Sequence, residues 1–412
     1  MTAHLPSNYP QPTGRGYYIY VTEACNLRCD YCFVRDKHNN RHLTRTMAAS
    51  IVDFIVRESV GLKRVYVHFF GGEPLIRPDI VNYLAGALRN RVSGIVLRFG
   101  ITTNGTLLTT RNCEMLKRHG IGVQLSLDGS QDGNDVHRQV MGGTQSGLRK
   151  AGAFDLVKIS NYLEYFGGEF PNCRMTVTPA NVEYLSRSIR ELHERGFKSF
   201  SLIPDADGGK WTPEKLTAYE GEMDHLFGYW ANTPDISVNA IERTLIGLLA
   251  RRTQPHLCHV GNSVIGITIE GDVYPCHDFA GRFASDPSER KRLLLGNVTT
   301  PDTHLAAERI PWDSARSANG YDCKRCWAKW VCAKGCPYMN YSVTGAMNTV
   351  NATYCSTTRI NSDLALRWLS VLDEFRLVSV GVPNGRVRRG HLKTRLASPE
   401  SKPAPTEADV RL

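Results

Sequence analysis

"YYIYVTEACNLRCDYC", residues 17–32, decides the reading of this chain. Its first part, "YYIYVTE" (17–23), is aromatic and β-branched and predicts a strand. The strand runs into a loop that places Cys25, Cys29 and Cys32 within ten residues. A structural zinc site wants four ligands closed into a tetrahedron. A disulfide framework wants an even number of cysteines. Three thiols on one short loop suit a metal centre whose last coordination position is kept for another ligand, with a zinc or redox site as the plainer alternative.

Outward from this stretch, strand-like and helix-like segments alternate. Helices are expected over 46–60, 78–90, 112–120, 147–160 and 181–196, and strands over 64–70, 94–104, 122–129, 173–179 and 197–204. Such alternation predicts an α/β fold with a parallel sheet and right-handed crossovers. Ligands gather at the carboxyl ends of the strands in folds of this kind. Cys25 follows strand one, "GGEP" (71–74) strand two and "TNGT" (103–106) strand three, while "SLDG" (126–129) closes strand four. Four polar or glycine-rich turns at one sheet edge make that edge the expected site.

At 412 residues the chain is long for one core, and two domains are expected. No apolar run is long enough for a bilayer, and "MTAHLPSNYPQPTGRG" lacks the apolar centre of a signal peptide. The expected location is the cytoplasm, where clustered thiols bind metal or do chemistry more often than they pair. Of twelve cysteines, ten fall into the stretches 25–32 and 258–355. Cys113 and Cys173 stand alone and read as buried small hydrophobes. The net charge is +10, but residues from Arg376 onward hold eight Lys/Arg against three Asp/Glu. Half of the excess therefore sits in a Pro-, Ser- and charge-rich tail that reads as disordered. That location argues against nucleic acid as a partner.

The spacing C-x3-C-x2-C and the turns that follow it resemble the radical S-adenosylmethionine (SAM) enzymes over residues 16–205. The resemblance implies a partial (β/α)6 barrel. It also implies a [4Fe–4S] cluster on Cys25, Cys29 and Cys32 whose open iron binds SAM, and a radical that abstracts hydrogen from substrate. Carried over position by position, Gly71, Gly72 and Glu73 would serve the SAM amino group. Tyr31 would lie near adenine, and Asn104, Ser126 and Asp128 near the ribose and methionyl parts. Arg138 would clamp the carboxylate, with Arg149 as the alternative.

Cys258, Cys276, "CKRCWAKWVCAKGC" (323–336) and Cys355 resemble the SPASM extension of peptide- and protein-modifying members. That resemblance implies two auxiliary [4Fe–4S] clusters, three in all. One would be held by Cys323, Cys326, Cys332 and Cys355, the other by Cys258, Cys276 and Cys336. Two four-thiolate clusters need one more cysteine than this region holds, so His259, water or substrate is expected at the remaining iron. A zinc ribbon is the alternative for the "CKRC" pair.

The expected domains are an extension (1–15), the barrel (16–210), a helical bridge (211–257), the auxiliary-cluster region (258–360), a terminal helix (361–378) and the basic tail (379–412). "GDVYPCHDFAG" (271–281) looks like a stretch of peptide-cyclising members. The expected function is therefore a maturase that forms a thioether or carbon–carbon cross-link in a ribosomally made peptide. Anaerobic sulfatase maturases, which make formylglycine, place an aspartate directly after that cysteine. Here His277 stands there and Asp278 follows, either one a candidate base. A radical dehydrogenase or epimerase of a small metabolite, and a non-enzymatic electron carrier, are the other readings. Expected partners are a precursor peptide or protein, a flavodoxin- or ferredoxin-type electron donor and a separate leader-binding protein, since about fifteen residues precede strand one; no membrane partner is expected.

Overall fold

The computed structural model describes residues 13–34, 39–141, 152–168, 171–206, 210–250, 260–261, 263–300 and 315–372. Cys258, His259, Arg149 and the tail 379–412 lie outside the described residues. Six strand–helix units make the framework: β1 (Gly14–Thr22), α1 (Arg45–Glu58), β2 (Arg64–Gly71), α2 (Pro78–Arg91), β3 (Val96–Thr103), α3 (Thr110–Arg118), β4 (Ile121–Ser126), α4 (Gln131–Asp135), α5 (Ile159–Phe166), β5 (Asn172–Val177), α6 (Leu185–Glu194) and β6 (Ser199–Pro204). Strands β1 to β6 pair in parallel in chain order. Strand alternation explains the layering: Tyr17, Ile19, Val65, Val67 and Phe69 are fully or almost fully buried beneath the helices. Helix α1 adds Ile51, Phe54 and Ile55, each with no exposed surface, and each such burial contributes roughly 1.5–3 kcal/mol. The Thr44 side chain caps this helix by accepting from Met47 N.

After β6 come α7 (Pro213–Ala231), β7 (Ser237–Val238), α8 (Asn239–Ala250), β8 (Val264–Ile267), β9 (Asp272–Tyr274), α9 (His277–Phe283), α10 (Pro287–Leu293), β10 (Gly296–Asn297), β11 (Arg316–Ser317), α11 (Pro337–Thr344), β12 (Thr349–Val350) and α12 (Ala352–Trp368). The full sheet runs β10-β9-β8-β1-β2-β3-β4-β5-β6-β7. Strand β8 pairs in parallel with the free edge of β1, through Tyr17↔Ile265 and Ile19↔Ile267. The start of the cysteine-rich region thus extends the barrel sheet, which hangs α9 over the strand ends. Helix α12 carries Cys355 and returns to α7, where Trp368 Nε1 donates to Asp224 Oδ1 at 2.8 Å.

One helix differs from its expected span. Between 152 and 158 the chain makes a bend and a single 3-10 turn, Phe154–Leu156, and α5 begins only at Ile159. Phe154 and Val157 are both buried, so their three-residue spacing imitates a helical face. Ala153 N donates to Arg138 O and Phe154 N to Asp135 Oδ1, which ties this backbone to the preceding turn rather than to a helix.

Candidate active site

Strands β2 to β6 deliver their last residues, and β1 the loop that follows it, to one cavity, lined by Cys25, Cys29, Cys32, Gly71, Gly72, Asn104, Ser126 and Arg138 among others. The cysteine loop is pinned on both sides. Arg28 N donates to Gln139 O at 2.7 Å, and Met141 N to Asn26 O at 3.1 Å. From the other side, Gly72 N donates to Thr22 O and Glu73 N to Ala24 O, both at 2.9 Å. Glycine is required there. A Cβ on Gly72 would stand 2.2 Å from Ala24 O, and one on Gly71, whose φ is +134°, would stand 2.1 Å from Thr22 O.

Glu73 and Asp128 do not line the cavity; both stand behind its wall. Glu73 has no exposed surface. Its carboxylate accepts from Leu75 N (3.0 Å), Thr103 Oγ1 (2.8 Å) and Asn104 N (2.8 Å). Burial outweighs these bonds and raises its pKa to about 7. Asp128 accepts from Arg138 Nε at 2.9 Å and Arg138 Nη2 at 3.1 Å, from Thr176 N at 2.8 Å, and from the Tyr31 hydroxyl. Two side chains that line the cavity, Tyr31 and Arg138, are thus oriented by one buried carboxylate. Asn104 reaches the cluster loop, donating from Nδ2 to Asn26 Oδ1 at 2.9 Å and lying 4.0 Å from Cys25 Sγ.

The far wall comes from the cysteine-rich region. Cys276 is the N-cap of α9, so His277 and Asp278 open that helix, and both line the cavity. The His277 ring stacks on Tyr18, with centroids 4.3 Å apart and an interplanar angle of 11°. Its Nε2 lies 3.3 Å from Asp278 Oδ1, while Nδ1 is buried without a hydrogen-bond partner. Burial lowers the His277 pKa, opposed by Asp278 and reinforced by Arg174.

Sequence reasoning missed the polar barrel interior. His68 stacks on the other neighbour of this column, 4.9 Å from Tyr18. It bonds Tyr66 Oη through Nδ1 and Thr102 Oγ1 through Nε2, each at 2.7 Å. Burial drops its pKa to about 3. The two-residue period of "YVHFF" was the available signal, because Tyr66, His68 and Phe70 share one strand face. Arg174, on β5, also lines the cavity and has no hydrogen-bonding or ion-pair partner for its guanidinium among the described residues.

The second thiol set is assembled by β11, the 3-10 turn Trp327–Trp330, β12 and α12. Cys332 feels Cys355, Cys323 and Cys326 electrostatically, so the four converge. Lys334 N donates to Cys332 Sγ at 3.3 Å and Ser317 Oγ to Cys355 Sγ at 3.4 Å. Cys336 caps α11, which packs on α9 through Phe279 and Tyr338 at 5.7 Å. Cys113 and Cys173 have no exposed surface and sit in the core, as expected.

The donor sets can be tested against the metals they suit. Among the described residues, the group of three donors whose atoms all lie within 4.8 Å of one another is Cys276, His277 and Asp278. The thiols of Cys25, Cys29 and Cys32, and those of Cys323, Cys326, Cys332 and Cys355, are spread wider than that. A single zinc with Zn–S bonds of about 2.3 Å draws its sulfurs to within about 4 Å of each other; a cube with one thiolate per iron does not. Burial raises Cys25 to about 12, so a bound metal is what would hold it as thiolate. The residues fit iron–sulfur clusters.

Residues 19–205 match the Radical SAM superfamily. That stretch is a radical SAM domain. Radical SAM proteins bind SAM and a [4Fe–4S] cluster, and this one is an enzyme of redox radical chemistry. It is 29% identical to a serine-type anaerobic sulfatase-maturating enzyme of Bacteroides thetaiotaomicron, across 81% of this chain and 85% of that one. It is also 29% identical to an uncharacterized protein of Methanocaldococcus jannaschii, across 45% of this chain; the match spans 60% of that protein's length. In fold it resembles anSMEcpe bound to AdoMet and a Kp18Cys peptide, with a TM-score of 0.69, 20% identity, and coverage of 87% of this chain and 99% of that one. No helix among the described residues is long and apolar enough to cross a membrane.

Proposed function

We propose that this radical SAM enzyme modifies a residue of a ribosomally made peptide or protein, abstracting a hydrogen and closing a thioether or carbon–carbon cross-link. The observation that carries the reading is one cavity with the three-cysteine loop on one wall and His277 and Asp278 on another. A radical step that ends in an oxidised product must dispose of a second electron and a proton, and this wall has a base next to Cys276, a thiol of the auxiliary set. The fold-level likeness to an enzyme solved with a peptide supports a peptide substrate.

When bound, the cluster on Cys25, Cys29 and Cys32 and its SAM supply the carbon radical that takes the hydrogen atom. The chain's own residues do the rest. The backbone at Gly71 and Gly72, with Asn104 and Ser126, forms the polar floor for SAM; Tyr31 and Arg138, braced by Asp128, close its side. His277 or Asp278, side by side in this wall, accepts the substrate's proton. Phe33, Phe70 and Tyr18 flank the His277 ring at centroid distances of 6.0, 4.7 and 4.3 Å and hold its orientation. Auxiliary clusters on Cys323, Cys326, Cys332 and Cys355, and on Cys258, Cys276 and Cys336, would take the electron.

Formylglycine formation is the second reading. It is favoured by the sulfatase-maturase likeness and by Asp278, which reaches the cavity although it stands one residue further along. Co-expression with candidate precursor peptides, followed by mass spectrometry, tests both. A loss of two hydrogens per event with no reactive aldehyde supports cross-linking. An aldehyde captured by a hydrazide establishes formylglycine instead.

A further inference from the structure

The surface over the four-cysteine set is basic and bears two exposed rings. Tyr321 is 46% exposed and Trp327 40%. The Arg359 guanidinium lies 4.3 Å from the Tyr321 centroid and 5.4 Å from that of Trp327. Its Nη1 also approaches Cys326 Sγ at 3.8 Å. One cation therefore joins both exposed rings to a thiol of the set.

Arg316, Lys324 and Arg325 are exposed around them. Arg316 adjoins Ser317, whose hydroxyl donates to Cys355 Sγ, and Lys324 and Arg325 separate Cys323 from Cys326. None of these three cations has an acidic partner among the described residues. The nearby exposed acid, Asp322, uses Oδ1 to accept from Lys324 N. Arg359 already compensates charge at the sulfurs, so Lys324 and Arg325 are not needed for that. Exposed aromatics rimmed by unpaired cations are what a docking face for an acidic protein requires.

We infer that this face docks an acidic one-electron carrier protein, which exchanges an electron with the centre held by Cys323, Cys326, Cys332 and Cys355. Each encounter moves one electron between carrier and centre, one being oxidised as the other is reduced; no bond forms and no proton crosses. The inference rests on the iron–sulfur reading of those thiols and is independent of the substrate. Small, transient contacts suit electron-transfer pairs, and long-range attraction sets their association rate.

The test mixes the loaded full-length protein with a reduced plant-type [2Fe–2S] ferredoxin, an acidic carrier, and follows cluster reduction by stopped flow. In the double variant Lys324→Glu, Arg325→Glu the second-order rate at low salt falls about tenfold or more. The wild-type rate falls with added salt, whereas reduction by dithionite is unchanged between the two proteins. Equal ferredoxin rates in wild type and variant overturn the proposal. Carbodiimide cross-linking of the wild-type protein to the same ferredoxin gives a check free of any folding defect. Cross-links at Lys324 support the docking face, and cross-links confined to other regions overturn it. Zinc in place of iron at these thiols, found by metal analysis beforehand, would sink the centre itself and is thereby distinguished from a failure of docking.

Discussion

Asp128 and Arg138 form a two-pronged ion pair at 2.9 and 3.1 Å, with the Asp128 side chain fully buried and that of Arg138 8% exposed. The pair orders the cavity wall, because the same carboxylate holds the Tyr31 hydroxyl and Thr176 N. Asp128→Asn leaves a buried guanidinium without its counter-charge, a change that costs about 3–5 kcal/mol. The expected outcome is a lower unfolding midpoint together with weaker SAM binding, measured by denaturant titration and equilibrium dialysis. Unchanged values for both would contradict the bracing role.

Gly72→Ala places a Cβ 2.2 Å from Ala24 O, and backbone on both sides has no side chain to swing away. The expected result is loss of iron from the first cluster with the fold otherwise retained, read by iron analysis and far-UV circular dichroism. Full iron loading in this variant would show that the two turns need not touch.

Gly100→Ala acts deeper in the barrel. Its Cβ would stand 2.0 Å from Tyr66 Oη and 2.8 Å from His68 Nδ1, so it evicts the Tyr66 hydroxyl from its bond to His68. Overpacking of this kind costs about 1–3 kcal/mol. A denaturant midpoint equal to wild type would reject the packing argument.

His68 makes stability depend on pH. Its folded pKa is about 3 against 6.5 for the free side chain. Below 6.5 the unfolded chain therefore binds a proton that the folded chain refuses. The stabilisation is fully present above pH 6.5 and is lost as pH falls toward 3, by up to about 1.4 kcal/mol per unit. His68→Gln flattens the slope between pH 5 and 6.5 in denaturant titrations, and an identical slope in both proteins would contradict the assignment.

Much of this was legible beforehand. The six strands and their order follow from apolar runs of six to nine residues whose alternate positions all face a core. Strands β8, β9 and β10, of four, three and two residues, are too short to carry a period, so the sheet extension that positions His277 was invisible. The cavity residues were legible where a motif marks them, as at Cys25, Gly72 and Asn104. His68 and Arg174 were not, because an inward polar side chain in a barrel strand looks like the solvent face of an ordinary sheet. Motifs marked Glu73 and Asp128 as candidates for direct contact with SAM, whereas their place behind the wall depends on partners that arrive from other strands.

The most direct test of the account compares the anaerobically reconstituted wild-type protein with the triple variant Cys25→Ala, Cys29→Ala, Cys32→Ala, measuring iron and 5′-deoxyadenosine after reduction in the presence of SAM. The account predicts about twelve irons per wild-type chain, about eight in the variant, and 5′-deoxyadenosine from the wild type alone. Release of 5′-deoxyadenosine by the variant would contradict it.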